Sequence, residues 1–120
     1  MDIYDDPDFV QALMEIVINT QIAFMKEQEK ILGQLDYILI LDDISSFLSE
    51  NQFRELVIPA YDRIYAEFPN VQHWYHKDAD AGHLSSAVAD SRSQPWHVGT
   101  TYDIVETRQK TQGKVSLCGN

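Results

Sequence analysis

The chain has 120 residues, of which 44% are hydrophobic and 23% are charged, and its 9 Lys and Arg against 19 Asp and Glu give a formal net charge of -10. This composition is typical of a globular chain and excludes the low hydrophobicity and high charge of a disordered one. The negative charge repels phosphate backbones and anionic headgroups, so nucleic acid and acidic membranes are not expected partners.

The first predicted element is a helix from Asp6 to about Leu32. Asp6 is a suitable cap and Pro7 suits the first helical turn. The apolar residues that recur at helical spacing are Phe9, Leu13, Ile16, Val17 and Phe24. Gly33 ends the helix, and the apolar run over 36–41 predicts a strand covered on both faces, as in a parallel sheet.

A second helix is predicted to start at Ser49, whose spacing to Gln52 fits a capping box. Pro59 lies inside this helix and is expected to kink or split it, because proline removes a backbone donor. The aromatic run over 71–76 then predicts a second strand.

The rest of the chain repeats this alternation. A helix is predicted over 82–90, a short strand over 96–99, a helix between Asp103 and Gly113, and a last strand within 114–120 that ends on Gly119 and Asn120. Helices alternating with four strands predict an α/β fold with a parallel sheet. A closed (β/α)8 barrel takes about 250 residues. This chain is therefore predicted to form about half of a barrel and to be a fragment of a larger enzyme. The alternative is a small complete doubly wound domain, although no glycine-rich phosphate loop supports it.

The same sequence also supports predictions about the protein's cellular location and its single cysteine. It has no apolar run near the roughly 20 residues of a membrane-spanning helix, and its acidic start lacks the basic region of a signal peptide. A cytoplasmic protein is predicted. Cys118 is the single cysteine and is interpreted as a small buried strand residue.

Three stretches carry a family resemblance: LDDISSFLSENQFRELVIPAYDRI, HWYHKDAD and DIVETRQKTQGKVSLCGN. Together they resemble the uroporphyrinogen decarboxylase superfamily, which includes the methylcobamide:thiol methyltransferases. The resemblance implies a partial (β/α)8 TIM barrel of about four parallel βα units, with residues 1–120 as a single segment from the C-terminal half. In the family, further barrel units follow the position of Asn120.

The methyltransferase branch implies a metal site at the end of the second strand. That branch has a His-x-Cys zinc pair where this chain has His76 and Asp78. An i, i+2 pair leaving a strand points both side chains to one side, as a shared metal requires. The resemblance therefore implies zinc at His76 and Asp78, a corrinoid carried on a partner protein, and a third ligand downstream of this chain. The alternative is an imidazole of His76 that is hydrogen-bonded to a neighbouring carboxylate.

The decarboxylase branch implies removal of the acetate carboxyls of uroporphyrinogen without a cofactor. Asp43 stands where those enzymes carry a serine that faces the substrate, and a carboxylate there repels a polycarboxylate. Asp42 and Asp43 are predicted as catalytic residues that shape the pocket at the barrel mouth. The alternative is that one of them caps the loop through Ser45 and Ser46 while the other is solvated.

The remaining histidines are assigned to packing. His73 and His97 are interpreted as satisfied core or surface residues, with His97 a weak candidate for the mouth. Asp80 and His83 could add to the cluster of His76 and Asp78, and the alternative is that Asp80 caps the next helix and His83 lies on its surface. The leading hypothesis is a segment of a methyltransferase-like enzyme that acts on a small molecule or a corrinoid protein and has little activity alone. The alternatives are a decarboxylase and a non-catalytic half-barrel that forms a homodimer through its open edges.

Overall fold

Four parallel strands lie side by side in chain order in the computed structural model, which describes residues 2–119. The strands are β1 (Tyr37–Leu41), β2 (Gln72–Lys77), β3 (Trp96–Val98) and β4 (Leu117–Gly119). All three neighbouring pairs are parallel. Together with the helices between them, these strands confirm the predicted partial α/β barrel. Asn120, the predicted end of the last strand, lies outside the described residues.

Six α-helices accompany the strands within residues 2–119. They are α1 (Asp2–Asp5), α2 (Pro7–Leu32), α3 (Glu50–Gln52), α4 (Ile58–Glu67), α5 (Ser85–Asp90) and α6 (Ile104–Lys110). Short 3₁₀ segments lie at Ile44–Phe47 and Gly82–Leu84. None of these helices has the length and apolar character that crossing a membrane requires.

The predicted caps of the first helix are present. The carboxylate of Asp6 accepts a hydrogen bond from the Phe9 amide at 3.1 Å, and Pro7 occupies the first turn. Gly33 follows the helix with φ of 82°, a left-handed conformation that costs glycine little. Local sequence signals therefore locate both ends of α2.

The helix around Pro59 is divided, as the sequence predicts. Ser49 and Gln52 form the capping box of α3, and a π-helical segment (Phe53–Val57) separates α3 from α4. Pro59 lies in the first turn of α4, where a missing amide leaves no intrahelical bond unmade. The π-helical segment thus absorbs the irregularity that proline introduces.

The apolar stripe predicted for α2 is exposed rather than packed. Phe9, Ile16 and Phe24 are each more than half exposed, and Ile18 is the buried residue of this helix. Ile18, with Met14, Ile22 and Met25 beside it, packs against Ala60, Ile64 and Tyr65. The helical period was predicted correctly, but contact with α4 decides which side of α2 is covered.

The helices cover one face of the sheet. Ile38, Tyr75, Trp96 and Val98 point to that face and are at most 4% exposed. The opposite face, called the inner face here, carries Tyr37, Leu39, Leu41, Trp74, His76 and His97 around a cavity of about 530 Å³. Tyr37, Leu39 and Leu41 are 57%, 42% and 67% exposed. A doubly wound domain has helices on both faces, so that alternative is wrong for residues 2–119.

Candidate active site at the carboxyl ends of the strands

His76 and Asp78 lie at the carboxyl end of β2, where the sequence predicts them. The Nε2 atom of His76 lies 3.3 Å from Oδ2 of Asp78. The His76 side chain is 22% exposed and that of Asp78 is 65% exposed, so solvent and small ligands reach both. The i, i+2 spacing therefore brings an imidazole and a carboxylate together at the mouth of the partial barrel.

His97 of β3 joins this pair, although the sequence favoured a packing role for it. His76 and His97 are partners in the β2–β3 register, and their rings lie 4.7 Å apart. Their Nδ1 atoms are 2.6 Å apart. One ligand atom from each of His76, Asp78 and His97 lies within 4.8 Å of the others, which makes this a group able to hold a metal ion. Sequence analysis missed this contact because His76 and His97 are far apart in sequence, and only the parallel register of β2 and β3 brings them together.

Asp43 lies beside this cluster and supports the loop that carries Asp78. Its Oδ1 atom accepts hydrogen bonds from the backbone amides of Asp78 at 2.8 Å and Ala79 at 3.0 Å. These bonds, the one from Ala79 first, hold the pKa of the Asp43 carboxyl below its usual value. Asp43 therefore remains ionised at the mouth, and its catalytic role stays a prediction.

Asp42 points the other way, into the layer between the sheet and the helices. Its carboxylate accepts hydrogen bonds from the Ser45 amide at 3.0 Å, the Tyr61 hydroxyl at 2.6 Å and the Tyr75 hydroxyl at 3.3 Å. Burial raises the pKa of Asp42, but the hydrogen bonds from Ser45 and Tyr61 outweigh burial and leave it below its usual value. The expectation that Asp42 and Asp43 both face the mouth is corrected for Asp42, because successive residues leaving a strand face opposite sides.

Lys77 is a buried cation that sequence analysis did not single out. Its side chain is 0% exposed, and Nζ lies 3.8 Å from Oδ2 of Asp42. The ammonium donates to the backbone oxygen of Asp42 and to Oγ of Ser45, and burial lowers its pKa. Lys77 thus connects the ends of β1 and β2 on the helix side and does not reach the inner face.

The other polar residues considered from sequence have protein partners. His73 stacks on Tyr65 with ring centroids 4.2 Å apart and bonds to the Phe68 carbonyl. His83 bonds to the Leu48 carbonyl, and Asp80 accepts from the Gly82 amide. These contacts agree with the packing and capping roles predicted for His73, Asp80 and His83. Cys118 is partly buried, which raises the pKa of its thiol.

Two glycines leave room for the cluster. A Cβ atom on Gly99 would lie 2.7 Å from Cα and 2.8 Å from the carbonyl oxygen of Asp78. One on Gly119, where φ is 88°, would lie 2.9 Å from Nε2 of His97. Asp78, His97, Val98, Gly99, Thr100 and Gly119 line a second, open cavity of about 570 Å³. Neither cavity beside the cluster is lined by Arg or Lys among the described residues.

Replacing Gly99 with alanine is expected to displace Asp78. The new Cβ would overlap backbone atoms, which cannot rotate away, so Gly99→Ala should lower the free energy of unfolding by about 1–3 kcal/mol. Urea denaturation followed by circular dichroism measures this loss. Gly82→Ala is the matched control, since its Cβ would have only ordinary contacts at 3.8 Å. Equal stability of Gly99→Ala and Gly82→Ala would contradict the close approach of β3 to Asp78.

Comparison with known proteins identifies relatives of this sequence. The sequence model of the family described as Uroporphyrinogen decarboxylase (URO-D) matches residues 1–120. A protein named uroporphyrinogen decarboxylase from Chlorobium limicola is 26% identical over 122 residues, and one of the same name from Chlorobaculum tepidum is 27% identical over 124 residues. Each alignment covers 98% of this chain and 34% of the relative. No solved structure matches the chain at a comparable level. The chain therefore spans about a third of the length of these relatives.

Proposed function

Because the chain belongs to the uroporphyrinogen decarboxylase family, we propose that it is a segment of an enzyme of this superfamily that transfers a methyl group from a methylcobamide to a metal-activated acceptor. The observation that carries this proposal is the pairing of His76 with Asp78 at 3.3 Å, at the carboxyl end of β2. This is the end of the strands where barrel enzymes keep their chemistry. The corrinoid would be carried by a partner protein.

The donor atoms fit a zinc ion. An imidazole nitrogen and a carboxylate oxygen are both ordinary zinc ligands, and both belong to a cluster whose ligand atoms lie within 4.8 Å of one another. Asp78 supplies a carboxylate where the methyltransferase branch has a thiolate, which makes the site harder. When bound, zinc would supply a Lewis acid that favours loss of the acceptor's proton.

The residues around the pair support binding and orientation. The amides of Asp78 and Ala79 donate to Asp43, which fixes the loop carrying the Asp78 ligand. Leu39, Leu41 and Trp74 form an apolar surface beside His76 for the body of a substrate. A corrinoid would supply the methyl group and would retain the electrons of its cobalt–carbon bond, while the acceptor would supply a lone pair and lose its proton to solvent.

The second candidate is decarboxylation of uroporphyrinogen without a cofactor. The names of the two relatives favour it. The carboxylates of Asp43 and Asp78 at the mouth speak against it, because they would repel a polycarboxylate substrate. Cytoplasmic location and homodimer formation through the open edges of the half-barrel stay predictions.

Metal affinity tests the proposed function. We expect the 120-residue chain to bind one zinc, His76→Ala to lose it, and Asp78→Cys to bind about tenfold or more tightly, because thiolate is a softer and better zinc ligand. Calorimetric titration measures the affinities, and cobalt substitution shows a thiolate-to-metal charge-transfer absorption in Asp78→Cys. Asp80→Cys is the control, since it adds a thiol to the same loop without the strand-end geometry. A folded chain that does not bind zinc would contradict the proposed methyl transfer and favour the decarboxylase.

A further inference from the structure

His97 has the geometry of a metal ligand rather than of a packing residue. It is the register partner of His76 on the neighbouring strand, so both imidazoles leave the sheet on the inner face. Neighbouring strands lie about 4.8 Å apart, and the two rings follow this spacing with centroids 4.7 Å apart. The backbone therefore places the two imidazoles at one point of the mouth.

The contact between the two rings is a hydrogen bond between ring nitrogens, in which one nitrogen supplies its lone pair. With Nδ1 atoms 2.6 Å apart, a proton on both atoms would bring two N–H groups into collision, so at most one of them carries a hydrogen. At least one Nδ1 is thus an acceptor, and Oδ2 of Asp78 lies 3.3 Å from the other nitrogen of His76. A divalent cation bound by both rings and the carboxylate would replace the hydrogen bond between the rings, with the donor ring's proton on its other nitrogen.

His97 also lacks the kind of partner that orients the packing histidines. His73 bonds to the Phe68 carbonyl and His83 to the Leu48 carbonyl. Within residues 2–119, the hydrogen-bond partner of His97 is the His76 ring rather than a carbonyl or a carboxylate. Gly119 avoids a clash with the other edge of this ring, because a Cβ at this position would lie 2.9 Å from Nε2 of His97.

We infer that His76, Asp78 and His97 together form a three-ligand site for a divalent metal, with His97 as the third ligand contained within this chain. The inference rests on the His76–Asp78 pair of the proposed function and adds the ligand from β3. Two imidazoles and one carboxylate suit zinc, cobalt or ferrous iron with an open coordination position. The open cavity lined by Asp78, His97 and Thr100 leaves space at this position for water or the acceptor.

The ligand set predicts the class of acceptor. Zinc with two neutral imidazoles and one carboxylate keeps a net charge of +1, whereas a site with one imidazole and two thiolates is neutral. The more positive and harder ion favours oxygen donors such as water or a hydroxyl group over thiols. With His97 as the third ligand, the acceptor of the proposed methyl transfer is therefore an oxygen donor.

Zinc and cobalt titrations of the 120-residue chain test this inference, with circular dichroism to confirm folding. His97→Ala should weaken binding by more than about 100-fold, because losing even an outer partner of a ligand costs 10–100-fold. His83→Ala is the matched control, since it removes an exposed imidazole outside the cluster. Cys118→Ser should bind as the wild-type chain does.

The wild-type chain gives a second measurement that does not depend on a folded variant. Ring-nitrogen chemical shifts should move on zinc addition for His76 and His97 and stay unchanged for His73 and His83. If His97→Ala binds zinc like His83→Ala while His76→Ala does not bind, the third ligand is wrong and the His76–Asp78 pair stands. If Cys118→Ser loses binding, Cys118 replaces His97. If the wild-type chain binds no zinc, both the inference and the metal-dependent function fail.

Discussion

Asp42→Ala is expected to lower the free energy of unfolding by about 3–5 kcal/mol, the usual cost of leaving one member of a buried ion pair unpaired. The substitution removes the carboxylate 3.8 Å from Nζ of Lys77, whose side chain is 0% exposed. It also removes the acceptor for the hydroxyl groups of Tyr61 and Tyr75. Urea denaturation at neutral pH measures the loss. Asp80→Ala, which removes an exposed carboxylate of equal charge, is the control.

The partner substitution should be milder. Lys77→Met leaves the Asp42 carboxylate with its donors Ser45, Tyr61 and Tyr75, so a loss of about 1–3 kcal/mol is expected. Adding Lys77→Met to Asp42→Ala should recover part of the stability, since no unpaired ammonium remains. Additive losses in the double variant would show that the two groups are not coupled.

The pH dependence of these variants follows from the two pKa shifts. The pKa of Asp42 is below 3.8 in the folded chain, so its contribution is complete above that value and is lost as the pH falls through the folded pKa. Asp42→Ala should lack this part of acid destabilisation. Burial lowers the pKa of Lys77 below 10.5, so the unfolded chain binds more protons between the two values and stability rises with pH there. Asp42→Ala should therefore regain stability at alkaline pH.

Trp96→Ala is expected to cost about 3–5 kcal/mol, the range for truncating a buried aromatic residue. Trp96 is 0% exposed and meets Tyr102 edge-on, with centroids 5.4 Å apart and planes at 82°. Such a loss is comparable to the whole stability of a small domain, so the variant should be largely unfolded at 37 °C. Near-ultraviolet circular dichroism and urea titration measure the effect.

Two control variants separate packing from other effects. Trp74→Ala truncates the same residue type on the exposed inner face and should cost much less. Trp96→Phe keeps the ring contact and removes an Nε1 donor that is buried without a hydrogen-bond partner among the described residues. Its cost should lie well below that of Trp96→Ala. If Trp74→Ala were the more damaging variant, the assignment of the helix-covered face as the core would be wrong.

The elements of the fold were predictable because their signals are local. Asp6, Gly33 and the capping box of Ser49 and Gln52 act on their own helix ends, and Pro59 acts on the helix that contains it. The order of helices and strands then restricts the topology to a parallel sheet. The packed side of α2 was not predictable, because both of its sides are rich in apolar residues and only contact with α4 selects one.

The candidate site was predictable only in part, for a related reason. His76 and Asp78 are two residues apart, so strand alternation and the family resemblance identify them from sequence. The different directions of the adjacent Asp42 and Asp43 depend on where β1 ends and on the partners each finds. The burial of Lys77 depends on the same packing, since an isolated lysine in a sequence indicates exposure.

The family, the alternation of helices and parallel strands, and the imidazole–carboxylate pair at the end of β2 could all be inferred from the amino-acid sequence. The covered face of the sheet, the pairing of Asp42 with Lys77 on the helix side, and the contact of His97 with His76 became known only from the folded chain. The two groups differ in the sequence distance over which the underlying interactions act. Capping, backbone freedom and strand alternation act over a few residues, whereas register and burial depend on residues that only folding brings together.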